Sequence, residues 1–265
     1  VEKPRLIASD LDGTLLAVDG SVTGRTAAAV RRTRAAGLPF VLVTGRPLRW
    51  VREVCLAAGA SPLVVCSNGT VLYDVLADGV VWRHELTPAM LADITSALDG
   101  LLPGSTFAAE RVGRGVDPYL SEPEYPHTWS HDDHTTASRG EVLGHPAVKL
   151  LIRNPEMTSD LMAEAVTSLL GDSVVATYST NSGLVEISPQ GVTKATGLAE
   201  VAEREGVDAA DVVAFGDMPN DVPMLHWAGH GVAVANAHPE VLAVADEVTD
   251  AHSADGVAQV VERWF

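Results

Sequence analysis

The sequence predicts an α/β protein, a doubly wound and mainly parallel sheet built from both ends of the chain and interrupted by an inserted α+β module. Three observations carry that prediction. At 265 residues the chain is about 1.8 times the roughly 150 residues usual for one domain. Its two ends alternate short apolar runs with helix-period segments, whereas its middle does not. With 46% hydrophobic and 20% charged residues it has material for a core and lacks the composition of a disordered acidic chain.

In chain order, Arg5 to Ser9, Pro39 to Val43 and Leu63 to Cys66 read as strands, separated by helices at Thr23 to Ala36 and Leu48 to Ala58. Phe40-Val41-Leu42-Val43 is apolar without alternation, as expected of a parallel strand covered on both faces. Gly37 and Gly59 stand where helix C-terminal caps belong. The last third repeats the pattern, with a helix from Thr193 to Arg204 ending near Gly206 and a strand at Val212 to Phe215. A helix from Asn220 to Ala228, a strand at Gly231 to Val234 and helical segments after His238 and Ala254 complete it. Both ends therefore form halves of one sheet.

The middle reads as a helix at Leu86 to Leu98, strands at Thr106 to Glu110 and Val148 to Arg153, and a helix at Ser159 to Leu170. Strands at Val174 to Tyr178 and Leu184 to Ile187 follow. The stretch from Val112 to Pro146, rich in Gly, Pro, His and acidic residues, has no clear assignment. A structureless loop of that length is uncommon, so at least one short element is expected there. The expected division is 1–82 with 187–265 as the core and 83–186 as the insertion.

The formal net charge of −17 opposes nucleic-acid and anionic-membrane partners. Cys55 and Cys66 cannot make a disulfide framework and form no CxxC pair, which fits a reducing cytoplasm. Leu6-Ile7-Ala8 falls short of a signal-peptide core, and no stretch approaches the ~18 apolar residues of a membrane span. A soluble monomer or weak homo-oligomer is expected. Asn68-Gly69-Thr70 is formally a glycosylation sequon, but without a secretory signal it carries little meaning.

Asp10-Leu11-Asp12-Gly13-Thr14 follows the first strand, where ligands bind in open α/β sheets. Two residues of extended chain span about 6.6 Å, so Asp10 and Asp12 can address one small group from opposite sides. Asp217 and Asp221 follow the strand Val212 to Phe215, with Asn220 as a good N-cap and Pro223 tolerated in the first turn. Alone, that pattern reads as a capped helix. Four carboxylates at one sheet edge, however, repel unless a cation or proton compensates, and oxygen-only ligands point to Mg²⁺. Lys194 begins a helix, and its spacing from Gly191 does not fit a P-loop. Gly229-His230-Gly231 fails as a dinucleotide fingerprint. Thr44-Gly45-Arg46 and Ser67-Asn68-Gly69 each end a strand; they read as turns, or as donors suited to a phosphoryl group.

Taken in order, Asp10-Leu-Asp12-Gly-Thr, Thr44-Gly-Arg46, Lys194 and Gly216-Asp217-Met-Pro-Asn220-Asp221 resemble the haloacid dehalogenase superfamily, and within it the Cof-type phosphatases. The resemblance spans essentially the whole chain and implies a Rossmann-like core with an inserted C2B-type cap that sets substrate specificity. It implies Asp10 as nucleophile, Asp12 as general acid and base, and an aspartyl-phosphate intermediate. Mg²⁺ would be held by Asp10, the Asp12 backbone carbonyl and Asp217, with Asp221 supporting directly or through water. Thr44, Gly45, Arg46, Asn68, Lys194 and Asn220 would contact phosphate or substrate. The expected function is a phosphatase for a small phosphorylated metabolite, a sugar phosphate by resemblance. The alternatives are a phosphosugar mutase and a non-catalytic phosphometabolite-binding protein.

Other residues carry blander readings. His131-Asp132-Asp133-His134 has ligand chemistry but no second ligand group at zinc spacing, and reads as solvated loop. Arg31-Arg32-Thr33-Arg34 reads as a solvated helix face, and Cys66 as a buried thiol. Trp129, Tyr119 and Tyr125 are candidates for leaving-group contacts by location and chemistry.

Overall fold

The computed structural model describes residues 3–113, 115–127 and 134–265. It begins β1 (Leu6–Ser9), α1 (Gly24–Ala35), β2 (Phe40–Val43), α2 (Arg52–Ala58), β3 (Leu63–Cys66), β4 (Val71–Asp74) and β5 (Gly79–Arg83). There follow α3 (Pro88–Asp99), β6 (Thr106–Glu110), β7 (Tyr119–Ser121), β8 (Thr135–Thr136), α4 (Arg139–Leu143) and β9 (Lys149–Arg153). After them come α5 (Ser159–Leu170), β10 (Val174–Thr177) and β11 (Leu184–Pro189). The chain ends through α6 (Lys194–Glu205), β12 (Val212–Gly216), α7 (Val222–Trp227), β13 (His230–Val234), α8 (Pro239–Val244), β14 (Glu247–Thr249) and α9 (Gly256–Val261).

The chain divides into two compact units, 1–82 with 193–265 and 83–192. The boundary expected at 187 falls inside β11, which pairs antiparallel with β9 and β10, so the second unit continues to Val192. In the first unit the sheet order is β14-β13-β12-β1-β2-β3-β4-β5. It is parallel from β14 to β3, and β4 then runs antiparallel to β3. The apolar strands are buried along their length, as LIAS, FVLV and VVAFG require. Each fully buried Leu, Ile, Val or Phe contributes about 1.5–3 kcal/mol. Helix ends follow their local chemistry. The Thr23 hydroxyl accepts from the Thr26 N–H at the start of α1, and Gly59 and Gly206 close α2 and α6 in the left-handed conformation. Arg31 and Arg32 lie on the exposed face of α1, where Arg32 meets Glu262.

The second unit carries a six-stranded sheet in the order β10-β11-β9-β6-β7-β8, antiparallel except for the β7–β8 pair. Helix α5 packs on β10 and β11. The segment without a sequence assignment supplies β7, β8 and α4, the last opened by a capping box between Ser138 and Glu141. Tyr119 and Tyr125 are buried with Ala108, Leu151 and Leu184, and His127 stacks on His134. Trp129 and His131 to Asp133 lie outside the described residues. Among the described residues no helix is long and apolar enough to cross a membrane. Cys55 and Cys66 are both buried thiols, and burial pushes Cys55 up to about 11.

Candidate active site

Sheet register gathers the site. Ser9 at the end of β1 lies opposite Phe215 of β12 and Leu42 of β2, and Val43 lies opposite Val65 of β3. The chain therefore leaves adjacent parallel strands at one edge, and the Asp10 N–H donates to the Phe215 carbonyl at 3.0 Å. Asp10, Asp217 and Asp221 are all buried, and they offer carboxylate oxygens within 4.8 Å of one another.

The loop after β1 makes this approach possible. Gly13 turns it at φ +76°, and a Cβ there would stand 2.3 Å from Asp217 Oδ2. Only glycine permits both the left-handed backbone and the contact. The next residue, Thr14, donates its hydroxyl to Asp217 Oδ1 at 2.7 Å. Asn236 Nδ2 donates to the Gly13 carbonyl at 2.8 Å, while His252 Nδ1 lies 2.7 Å from the Leu16 carbonyl. Thr14 belongs to the first motif, so sequence could have marked it. Asn236 and His252 are distant in the chain and carried no such signal.

Lys194 is the counter-charge. Thr193 caps α6, its hydroxyl accepting from the Thr196 N–H, so the Lys194 side chain enters the site from the first helical position. Its ammonium is fully enclosed, 2.9 Å from Asp10 Oδ1 and 2.7 Å from Asp221 Oδ1. The other oxygen of Asp221 accepts from the backbone N–H groups of Asp217 and Met218 at 2.9 and 3.0 Å. Both Asp221 oxygens are thus engaged within the protein.

Three buried carboxylates face one ammonium, and their proton affinities reflect the imbalance. Burial raises Asp10 well above the ordinary carboxylate range. Lys194 opposes the rise, and repulsion from Asp221 and Asp217 adds to it. Burial, joined by repulsion from Asp221, pushes Asp217 up to about 7, against the pull of Thr14, Lys194 and His252. Burial works against the Lys194 charge, but Asp10 and Asp221 outweigh it and raise its pKa above the ordinary lysine value. A second cation would relieve the excess negative charge, and all-oxygen carboxylate donors fit a hard divalent ion.

The remaining sequence candidates divide. Thr44 is buried; its hydroxyl accepts from the Arg46 N–H at 3.0 Å, which leaves the hydroxyl proton to donate elsewhere. Arg46 turns its guanidinium onto Asp12 as a bidentate pair, with Nε 2.7 Å and Nη2 2.5 Å from the two carboxylate oxygens. The Asp12 side chain is 58% exposed and stands apart from the buried carboxylate group. Asn220, expected as an N-cap, instead lies in a tight turn at Pro219–Asp221, and Asp221 occupies the cap position of α7. Its side chain is drawn inward, where Nδ2 donates to Asn68 Oδ1 at 3.1 Å. Asn68 and Gly45 are close neighbours, since a Cβ on Gly45 would stand 3.0 Å from Asn68 Oδ1.

Comparison with known proteins shows the family. Residues 7–261 match the family model for haloacid dehalogenase-like hydrolases, and the chain belongs to that family. It is 30% identical to the 5-amino-6-(5-phospho-D-ribitylamino)uracil phosphatase YcsE of Bacillus subtilis, over 98% of this chain and 95% of that protein. A phosphoglycolate phosphatase of Methanothermobacter thermautotrophicus is also 30% identical, over 98% and 99% of the two chains. In fold, a haloacid dehalogenase-like hydrolase from B. subtilis superposes with a TM-score of 0.83 at 22% identity, covering 98% of this chain and all of that one. The chain is an enzyme of the phosphoric monoester hydrolase class.

Proposed function

We propose that this enzyme is a Mg²⁺-dependent phosphatase that hydrolyses a small phosphorylated metabolite, a sugar phosphate or similar polyol phosphate, through an aspartyl-phosphate at Asp10. The observation that carries the reading is the buried Asp10 carboxylate, held 2.9 Å from Lys194 beside Asp217 at the edge of a parallel sheet. A nucleophile enclosed with one fixed cation and surplus carboxylates suits a reaction whose demands are positioning and charge neutralisation.

Asp10 and Asp217 supply the ligand oxygens for the metal, together with the Asp12 backbone carbonyl. Asp221, with both oxygens already hydrogen-bonded, supports the site by orienting Lys194 and the Asp217 backbone. When bound, the metal screens the phosphoryl oxygens from the carboxylates and lets a dianionic group approach. An Asp10 oxygen attacks phosphorus as the bond to the leaving oxygen breaks, and Asp12 gives that oxygen its proton. Asp12 then takes a proton from water, which attacks phosphorus, releases phosphate and restores the Asp10 carboxylate. Lys194, Thr44, Asn220 and the Gly45 amide hold the phosphoryl oxygens. Arg46 holds the Asp12 carboxylate through both oxygens, so Asp12 leaves that pair to carry the leaving-group proton. The second unit selects the leaving group, and the enzyme works in the cytoplasm, a placement supported by its buried thiols.

The test is phosphate release across a panel of phosphorylated metabolites with and without Mg²⁺, comparing wild type with Asp10→Asn. Loss of turnover by about a thousandfold or more in the variant, at unchanged thermal stability, is expected. Wild-type turnover in Asp10→Asn overturns the reading.

A further inference from the structure

The loop between β3 and β4 adopts a conformation that calls for a cause. Ser67 and Asn68 take φ of 48° and 59° in succession, and neither is glycine. Left-handed backbone is disfavoured for residues other than glycine, less so for asparagine. Gly69 follows at φ +98°, where a Cβ would stand 2.0 Å from the Thr193 carbonyl next to Lys194.

That loop delivers one side chain into the site. Asn68 is 3% exposed; its N–H donates to the Thr44 carbonyl at 3.0 Å, and its Oδ1 accepts from Asn220 Nδ2 at 3.1 Å. Turning the Asn220 amide over would set carbonyl against carbonyl, so Asn68 selects one of two orientations. In that orientation one Nδ2 hydrogen is used and the other remains for a ligand. Asn220 Oδ1 is buried and has no hydrogen-bond partner among the described residues. An orphaned buried acceptor is costly, and a fold carries such a cost where a functional position requires it.

We propose that Asn68 is a positioning residue: it touches no substrate atom, but holds the Asn220 amide so that its free N–H meets a phosphoryl oxygen. The inference rests on the phosphatase reading above and adds a residue that acts through another. It gives the strained Ser67-Asn68 backbone a purpose, since an extended loop would not bring Asn68 Oδ1 and the Thr44 carbonyl contact together.

A double-mutant cycle tests it with Asn68→Gly, Asn220→Ala and the pair. Glycine takes the left-handed conformation without strain, so Asn68→Gly removes the amide while leaving the loop foldable. Two quantities are read with Mg²⁺ present: kcat/KM on the best panel substrate, and the dissociation constant of inorganic phosphate by calorimetry. Asn68→Gly is expected to weaken both by about tenfold. The pair should be no worse than Asn220→Ala alone, because the action of Asn68 passes through Asn220. Losses that multiply in the pair, or an Asn68→Gly protein equal to wild type, overturn the proposal. Wild type that binds phosphate but hydrolyses nothing on the panel defeats the phosphatase reading only, and the cycle is then decided on binding. Wild type that does neither defeats both.

Discussion

Replacing Lys194 with methionine removes the one cation among three buried carboxylates while nearly preserving volume. Its ammonium is fully enclosed and lies within 2.9 Å of both Asp10 and Asp221. Removing one partner of a buried ion pair typically costs about 3–5 kcal/mol. An independent bound comes from neutralisation, because the stranded carboxylate can take up a proton. For an ordinary carboxyl pKa of about 3.9, that costs about 4.2 kcal/mol at pH 7 and about 1.5 kcal/mol at pH 5. The sign follows: the variant's folded state holds a proton that its unfolded state releases, so its deficit shrinks as pH falls and grows as pH rises. With 265 residues and about 2.1 cal/mol/K of unfolding entropy per residue, the pH 7 deficit corresponds to a Tm loss of about 7–8 °C. Urea unfolding of metal-free wild type and Lys194→Met between pH 5 and pH 8 measures it. A deficit below about 1 kcal/mol at pH 7, or one equal at pH 5 and pH 7, refutes the electrostatic account of the site.

The same geometry makes four further predictions. Asp217, pushed up to about 7, carries a proton in the metal-free protein below neutrality. Metal affinity should therefore rise with pH through about 7, with proton release seen by calorimetry in two buffers; flat affinity from pH 5.5 to 7.5 contradicts this. Without metal, that raised pKa also makes the contribution of Asp217 to stability fall as pH rises through about 7. Gly13→Ala should lose at least about 1–2 kcal/mol from left-handed strain and weaken metal binding, because its Cβ would meet Asp217 Oδ2 at 2.3 Å. Arg46→Met breaks a pair whose acidic partner is 58% exposed, so stability should change by no more than about 1 kcal/mol. Turnover of alkyl phosphates should change more than that of p-nitrophenyl phosphate, whose leaving group needs no acid; an equal change on both contradicts a link between Arg46 and the acid.

Much of the fold was legible because parallel strands buried on both faces announce themselves as unbroken apolar runs, as in Phe40 to Val43 and Val212 to Phe215. The antiparallel strand β4 and the edge strands β5 and β14 were not. Exposed Val80 and Val81, and the three residues Glu247 to Thr249, give too little pattern to separate strand from loop. The same holds for β7, β8 and α4, which run for only three, two and five residues. At the site, Asp10, Lys194, Asp217 and Asp221 stood out through motif and position. Asn68 and Arg46 were visible as polar groups at strand ends, but their partners were not.

The amino-acid sequence alone determined which residue types stand at the carboxyl ends of which strands, because strand periodicity and the glycines at 13, 69 and 216 are local properties. Only the tertiary structure decided whom those residues face. It turned Arg46 to Asp12 and Asn68 to Asn220, and it engaged both oxygens of Asp221. The physical reason is that a hydrogen bond between residues 152 positions apart, such as Asn68 to Asn220, is fixed by sheet register and close packing rather than by either residue's neighbours in the chain.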